Sequence, residues 1–146
     1  MSKNGKILLI VGGVLLVAAV VCAGAAKFGM DYAEKRITES TADDKAAGLE
    51  LAKTADQQGC IVEGLNRASP VPFTDLGAAI GLRVFVGECL HNAKPVNDFC
   101  VGVPPLLSLK EGEWTTEQCR RSGMDEMKTG CKYVFTEKHS FCGALK

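Results

Sequence analysis

The stretch LRVFVGECL, residues 82–90, carries the clearest helical pattern in the chain. Apolar residues recur in it at i, i+3, i+4, i+7 and i+8, which places them on one face of a helix: Leu82, Phe85, Val86, Cys89 and Leu90. Thr74 and Asp75 precede the stretch and are expected to begin this helix. Residues 82–86 alone would also suit a short strand, but the longer period favours a helix. The stretch therefore predicts an all-α domain.

A second helix is predicted on the amino-terminal side, over residues 60–68. Its apolar and small residues share one helical face: Cys60, Ile61, Gly64, Leu65 and Ala68. Residues 69–72, Ser-Pro-Val-Pro, end this helix because proline lacks the N–H donor and restricts the residue before it. The start of this helix and the end of the next one meet if the two are antiparallel. We therefore predict a Cys60–Cys89 disulfide.

Residues 92–112 show no regular pattern and are rich in Pro, Gly and Asn. A segment of this length without secondary structure is unusual unless it is tied down, and Cys100 in its middle supplies a tie. Its apolar residues give the segment one apolar side: Val101, Val103, Leu106, Leu107 and Leu109. We expect this side to pack over the helices. The alternative is that it forms a partner-binding surface.

Two further helical patterns follow this segment. Thr115 and Gln118 have the spacing of a capping box, which predicts a short helix through Arg121 that ends at Gly123. Trp114 is expected to cap the core. Apolar residues then recur at helical spacing before a predicted turn near residues 139–140: Met124, Met127, Cys131, Val134 and Phe135.

Residues 27–58 contain no proline and are rich in alanine and mixed charges. Thr41 can cap a helix from Ala42 to about Gln58, with acidic residues in its first turn. Gly48 within it lowers the helix propensity. The helix is too polar to bury much surface, so we predict that residues 27–58 form a helical stalk or the first layer of the domain.

Residues 7–26 are an uncharged, mostly apolar run of twenty residues. A helix of this length spans the hydrocarbon layer, and lipid requires a helix because it offers the backbone no hydrogen-bond partner. We predict a transmembrane signal anchor, with residues 1–6 as a cytoplasmic tail. The alternative is a signal peptide cleaved near Ala23-Gly24-Ala25, a small-x-small pattern. The positive charges on the two sides are too evenly matched to set the orientation.

The cysteines set the orientation instead. Of seven cysteines, Cys22 lies in the apolar run, and six lie in the predicted Cys-rich helical domain of residues 59–146: Cys60, Cys89, Cys100, Cys119, Cys131 and Cys142. An even number in a small domain is typical of a disulfide framework outside the reducing cytosol. Besides Cys60–Cys89, we pair Cys100–Cys119 and Cys131–Cys142. The domain is therefore expected on the non-cytoplasmic side of a membrane, periplasmic or extracellular.

A metal- or thiol-dependent enzyme is an alternative to this framework. Cys89, His91, His139 and Cys142 could supply a zinc ligand set or a cysteine nucleophile with a histidine partner. Their spacing departs from the paired Cys-x2–4-Cys and His-x3–5-His pattern of structural zinc sites, and no Cys-x-x-Cys redox motif occurs. We therefore expect no metal, no cofactor and no catalytic residue.

The composition narrows the classes of partner. Seventeen basic residues balance seventeen acidic residues, and the isoelectric point is near 6.7, so nothing indicates nucleic-acid binding. The leading hypothesis is a non-catalytic envelope protein, anchored by a single helix, whose helical domain contacts another protein. If the apolar run is cleaved, the alternative is a small secreted helical effector or inhibitor.

Overall fold

A computed structural model describes residues 41–144 of the chain. The chain is helical over residues 41–52, named α1, and four further helices follow: α2 (Gln57–Ala68), α3 (Leu76–Asn92), α4 (Glu111–Arg121) and α5 (Cys131–Ala144). No strand forms between residues 41 and 144, although Asp56 and Lys94 share one isolated bridge. The predicted all-α class is confirmed for these residues, and residues 82–86 belong to helix α3 rather than to a strand.

The predicted transmembrane segment, residues 7–26, lies outside the described residues. Among helices α1 to α5, none is both long enough and apolar enough to cross a membrane.

Helices α1, α3 and α5 run in the same direction. Helix α1 follows α3 so closely that a Cβ atom at Gly48 would overlap the carbonyl oxygen of Phe85. Helix α5 also ends beside the end of α3, where the aromatic rings of His91 and Phe141 pack edge-on with centroids 5.0 Å apart. We name the end of the bundle where residue 41 lies the proximal end, and the end where α3 and α5 finish the distal end.

Helices α2 and α4 run in the opposite direction. Helix α2 packs between α3 and α5 at Gly64, where a Cβ atom would lie 2.8 Å from Val86 Cγ2 and 3.3 Å from Val134 Cγ1. Helix α4 packs on α5, with the rings of Trp114 and Phe135 edge-on and 6.0 Å apart. Trp114 packs against the core, as predicted.

Helix α3 is at the centre of the core. The apolar face predicted from the sequence is buried, and the side chains of Phe85, Val86 and Cys89 are fully enclosed. Helix α5 supplies Val134 and Phe135 to the same core. Burial of this apolar surface is the main force that holds the helices together.

The helix predicted from Ala42 to about Gln58 is interrupted near residue 53. The backbone N–H groups of Thr54 and Ala55 both bond to the carbonyl of Leu51, and the Asp56 carboxylate then accepts a 2.7 Å hydrogen bond from Gly59 N to cap α2. Helix α1 lies in the same compact unit as the other helices. Residues 41–52 therefore form the first layer of the domain, and residues 27–40 lie outside the described part.

The structure confirms one predicted disulfide and corrects two. Cys60 and Cys89 are bonded, as predicted from the antiparallel pair α2 and α3. The other bonds are Cys100–Cys142 and Cys119–Cys131, so the predicted pairs Cys100–Cys119 and Cys131–Cys142 are wrong.

The physical reason for this correction is the predicted turn near His139 and Ser140, which does not form. Both residues lie inside α5, so Cys131 and Cys142 are near opposite ends of one helix, about 16 Å apart at 1.5 Å per residue. Helix α4 runs antiparallel to α5, which brings Cys119 to the start of α5. Cys142 then faces the segment between α3 and α4, where Cys100 lies.

Two predicted helix boundaries also change. Helix α4 begins at Glu111 rather than at Thr115, whose buried hydroxyl donates to the carbonyl of Gly112 instead of capping the helix. Helix α5 begins at Cys131, so Met124 and Met127 lie in the turn before it. Gly123 has a positive φ of 72° just past α4, as its predicted stop position requires.

Candidate functional site: an exposed apolar turn

The segment between α3 and α4, residues 93–110, is anchored to the distal end at three points. Phe99 and Val103 are buried in the core. Cys100 is bonded to Cys142 near the end of α5. The ammonium group of Lys138 lies 4.2 Å from the centre of the Phe99 ring, and partial burial lowers the pKa of this lysine. This part of the segment therefore packs over the helices, as expected for Val103, but the same expectation is wrong for Val101, which is 74% exposed.

The second half leaves its apolar residues in water. We name residues 104–110 the distal turn. Leu107 and Leu109 are 99% and 101% exposed, and Leu106 is 48% exposed. The prediction that these residues pack over the helices is therefore wrong for Leu107 and Leu109, while the half-exposed Leu106 contacts Gly143 of α5. The alternative, a partner-binding surface, remains a prediction. Isolated exposed leucines are ordinary, but two fully exposed leucines and a half-exposed third within four residues are not.

Leu107 adopts a backbone conformation that leucine rarely takes. Its φ is 63°, in the left-handed region, and the Ser108 N–H donates to the carbonyl of Pro105 across the turn. Leu107 thus occupies the turn position that glycine or asparagine usually fills. A non-glycine residue in this region costs about 1 kcal/mol or more and persists only where surrounding contacts impose it.

His139 is one of these contacts. The imidazole is buried on α5, and its Nε2 lies 3.2 Å from the carbonyl oxygen of Pro105. Its Nδ1 lies 3.6 Å from a carboxylate oxygen of Glu111, at the start of α4. The ring of α5 thus contacts Pro105 near the start of the distal turn and lies beside Glu111 just after its end.

Leu106 supplies a second contact through its side chain. It lies over Gly143 in the last turn of α5, where an added Cβ atom would overlap the leucine side chain. The Pro105 carbonyl and Leu106 are thus held against α5, and the turn presents Leu107 outward. The distal turn is a braced apolar projection rather than a cleft.

The four residues of the metal or thiol hypothesis do not form a reactive cluster. Cys89 and Cys142 are both in disulfides, so neither offers a thiolate to a metal or a substrate. His91 is exposed and packs edge-on against Phe141, whereas His139 is buried and contacts the distal turn. Between residues 41 and 144, no group of three or more His, Cys, Asp and Glu side chains could hold a metal ion.

The sequence indicated that the distal turn is apolar but not that it is exposed. The signal that separates the two outcomes is the left-handed conformation of Leu107, which the residue type does not predict. Comparison of the chain with protein-family models, with curated proteins and with solved structures finds no match.

Proposed function

We propose that this protein is a non-catalytic, membrane-anchored protein that binds a protein partner through the distal turn. Residues 7–26 would form a single transmembrane helix with residues 1–6 in the cytoplasm, and the helical domain would lie on the non-cytoplasmic side. The observation that carries the proposal is the full exposure of Leu107 and Leu109 on a turn that α5 holds in place.

The disulfides support the proposed compartment. Three cysteine pairs are bonded within residues 60–142, and such a density in a small domain is typical of an oxidising space. The uncharged run of residues 7–26 precedes the domain and has the length of one membrane span. Together they favour export of the domain with its amino-terminal segment retained in the membrane.

The position of the distal turn favours a protein over the anchoring bilayer as its occupant. Residue 41, to which residues 1–40 are joined, lies at the proximal end, because Asp44 of α1 lies beside Gly81 near the start of α3. The distal turn lies against Gly143, about 20 Å further along the parallel helix α5. Residue 41 and the apolar turn thus lie at opposite ends of the described domain.

The chemistry of the turn sets the kind of contact. Burying one exposed leucine side chain contributes roughly 1.5–3 kcal/mol. The contacts of the Pro105 carbonyl with His139 and of Leu106 with Gly143 already fix the turn. Little conformational entropy is therefore lost when a partner binds. An apolar cleft in a partner would accept Leu107 and Leu109 as anchors.

Photo-crosslinking from the full chain in its native membranes tests this proposal. A photo-reactive amino acid replaces Leu107 or Leu109, and in the control it replaces Leu76, which is 70% exposed on α3. We expect the same protein adduct from both positions of the turn and none from Leu76. Lipid adducts at Leu107, or equal adducts at Leu76, would contradict the assignment of a protein occupant.

Binding of the crosslinked partner to the detergent-solubilised full chain gives the second measurement. Leu107→Asn removes the apolar side chain but suits the left-handed backbone, so it should weaken binding about 10-fold or more while the fold is kept. Leu76→Gln should leave the affinity unchanged. Equal affinities for the two variants would show that the distal turn is not the binding surface.

The proposed compartment is tested by a separate measurement. The intact mass of the full chain without reductant should be lower by six hydrogen atoms, which corresponds to three disulfides. The mature amino terminus should retain residues 7–26. A terminus that begins just after residue 25 would replace the anchored protein by the secreted effector or inhibitor, and reduced thiols would argue against export altogether.

A further inference from the structure

Helix α3 carries a second apolar strip on the side away from the core. Ile80, Val84, Gly87 and His91 recur at i, i+4, i+7 and i+11, which at about 100° per residue gathers them within a narrow sector of the helix. The core residues of α3 occupy the opposite sector. The strip is the floor of an open groove of about 480 Å³, which is lined by residues of α3 and by Glu137 of α5.

An ion pair lies at each side of this groove, and three of the four paired residues line it: Arg83, Glu88 and Glu137. On the α5 side, Arg83 Nε lies 3.0 Å from Glu137 Oε2. On the α1 side, Lys45 Nζ lies 3.1 Å from Glu88 Oε1. The floor stays low between them because Gly87 has no side chain, and an added Cβ atom would lie 3.0 Å from Glu137 Oε1.

The cation is the more exposed partner in both pairs. The side chain of Arg83 is 47% exposed and that of Glu137 is 18% exposed. Lys45 is 56% exposed and Glu88 is 29% exposed. In both ion pairs the cation is thus more accessible to a partner than the carboxylate, although Glu88 and Glu137 also line the groove.

We infer that this groove binds an acidic amphipathic segment of a partner protein. Apolar side chains of such a segment would lie on Ile80 and Val84, and its carboxylates would contact Arg83 and Lys45. Exposed ion pairs contribute roughly 0–1 kcal/mol, so sharing each cation with a second carboxylate costs little. The site is separate from the distal turn and does not depend on the function proposed for that turn.

The test uses the detergent-solubilised full chain and two fluorescent peptides measured by anisotropy. One is an amphipathic helix with leucines at i, i+3, i+4 and i+7 and glutamates on both flanks. Its twin carries lysines in place of the glutamates. We expect the acidic peptide to bind about 10-fold more tightly than its twin, with a preference that falls as salt is raised.

Variants of the two exposed cations, Arg83 and Lys45, make the test specific to the groove. Arg83→Gln and Lys45→Gln should each weaken the acidic peptide about 3- to 10-fold, whereas Arg83→Lys should retain most of the affinity. Lys53→Gln is the matched control, because Lys53 is an exposed lysine just after α1 that pairs with Glu50 rather than with a residue of the groove. Leu107→Asn should not change peptide binding, which separates this site from the distal turn.

Three results would overturn the inference. They are equal binding of the two peptides, binding that Arg83→Gln leaves unchanged, and no binding of the acidic peptide. A photo-reactive residue at Val84 identifies other occupants. An intramolecular adduct with residues 27–40, or an adduct between two copies of the chain, would show that the chain itself covers the groove.

Discussion

The central helix α3 and the distal segment, residues 93–110, use apolar residues in opposite ways. The two regions are of similar length and both are rich in Val, Leu and Phe. In α3 the helical period collects these residues on a face that the other helices cover, and Phe85 and Val86 are fully buried. In the distal segment no period collects them, so Phe99 and Val103 are buried while Leu107 and Leu109 remain in water.

The difference shows that periodicity, and not apolar content, decides burial in this domain. A helix satisfies its own backbone and offers a continuous face to a neighbour. An irregular segment must satisfy its backbone through turns, such as the bond from Ser108 N to the Pro105 carbonyl, and the turn geometry then fixes where each side chain points. Apolar residues that the turns direct outward remain available for binding.

The largest expected change in the free energy of unfolding comes from truncating a buried apolar residue, whereas truncating an exposed one should have little effect. Phe85→Ala should lower the free energy of unfolding by about 3–5 kcal/mol, because it leaves a cavity at the centre of the core. Leu107→Ala should change it by less than about 0.5 kcal/mol, because the side chain loses no contact within the described domain. Denaturant unfolding of the full chain in detergent micelles measures both values.

A large loss of stability in Leu107→Ala would contradict the exposure of this side chain in the full chain. It would mean that the side chain packs against part of the chain outside residues 41–144, and the distal turn would then not be a free binding surface. Leu109→Ala serves as the parallel variant, since Leu109 is equally exposed in the same turn.

Removal of a disulfide is expected to affect stability somewhat less than Phe85→Ala. Removing Cys60–Cys89 or Cys100–Cys142 by paired alanine substitutions should cost about 2–4 kcal/mol, given the loops of 29 and 42 residues that they close. The two losses should differ in location. Loss of Cys60–Cys89 loosens α2 against α3, whereas loss of Cys100–Cys142 loosens residues 93–110 and leaves the contact between α2 and α3 intact.

Amide hydrogen exchange measures this difference. Without Cys100–Cys142, protection should fall mainly around Phe99 and Val103, and binding through the distal turn should weaken. Uniform loss of protection across α2, α3 and α5 would show that this disulfide is part of the framework rather than a tether of one segment. Peptide mapping without reductant checks the three pairings directly.

The sequence predicted the five helices but not the end of α1, the starts of α4 and α5, or the pairing of the last four cysteines. The positions of α2 and α3 followed from period and proline, and their antiparallel contact gave Cys60–Cys89. The remaining pairs depended on whether a turn interrupts the chain at His139 and Ser140. These two residues have little preference either way, and the burial of His139 against Pro105 and Trp114 keeps the helix continuous there.

The groove on α3 could not be predicted from the sequence for a related reason. The sequence shows Ile80 and Val84 as further apolar residues of an apolar helix, and nothing in their spacing says that helices α1, α2, α4 and α5 leave this side uncovered. The ion pairs that form its sides join residues far apart in the chain, as in Arg83 with Glu137. Such pairs are set by the packing of α1 and α5 on α3 and cannot be derived before that packing is known.

The smallest expected change in stability concerns Asp44, a carboxylate of α1 that lies beside Gly81 near the start of α3. Partial burial beside Gly81 raises the pKa of Asp44, the neighbouring Asp43 raises it further, and the Arg67 guanidinium 3.9 Å away only partly offsets this. The folded state therefore binds the Asp44 proton more tightly than the unfolded state. The stability that this group contributes is present below the ordinary pKa and is lost as the pH rises through the raised pKa.

Asp44→Asn should remove this loss, because the amide stays neutral at every pH. We expect the variant to be more stable than the wild type by about 0.5 kcal/mol at pH 7, and the gain to vanish near pH 3, where Asp44 is protonated in both states. Urea unfolding at the two pH values measures it, with Glu50→Gln as the control at an exposed carboxylate of the same helix. A variant that is less stable at pH 7 would mean that the attraction to Arg67 outweighs burial, and the proximal end of α3 would then be held by charge where its centre is held by apolar packing.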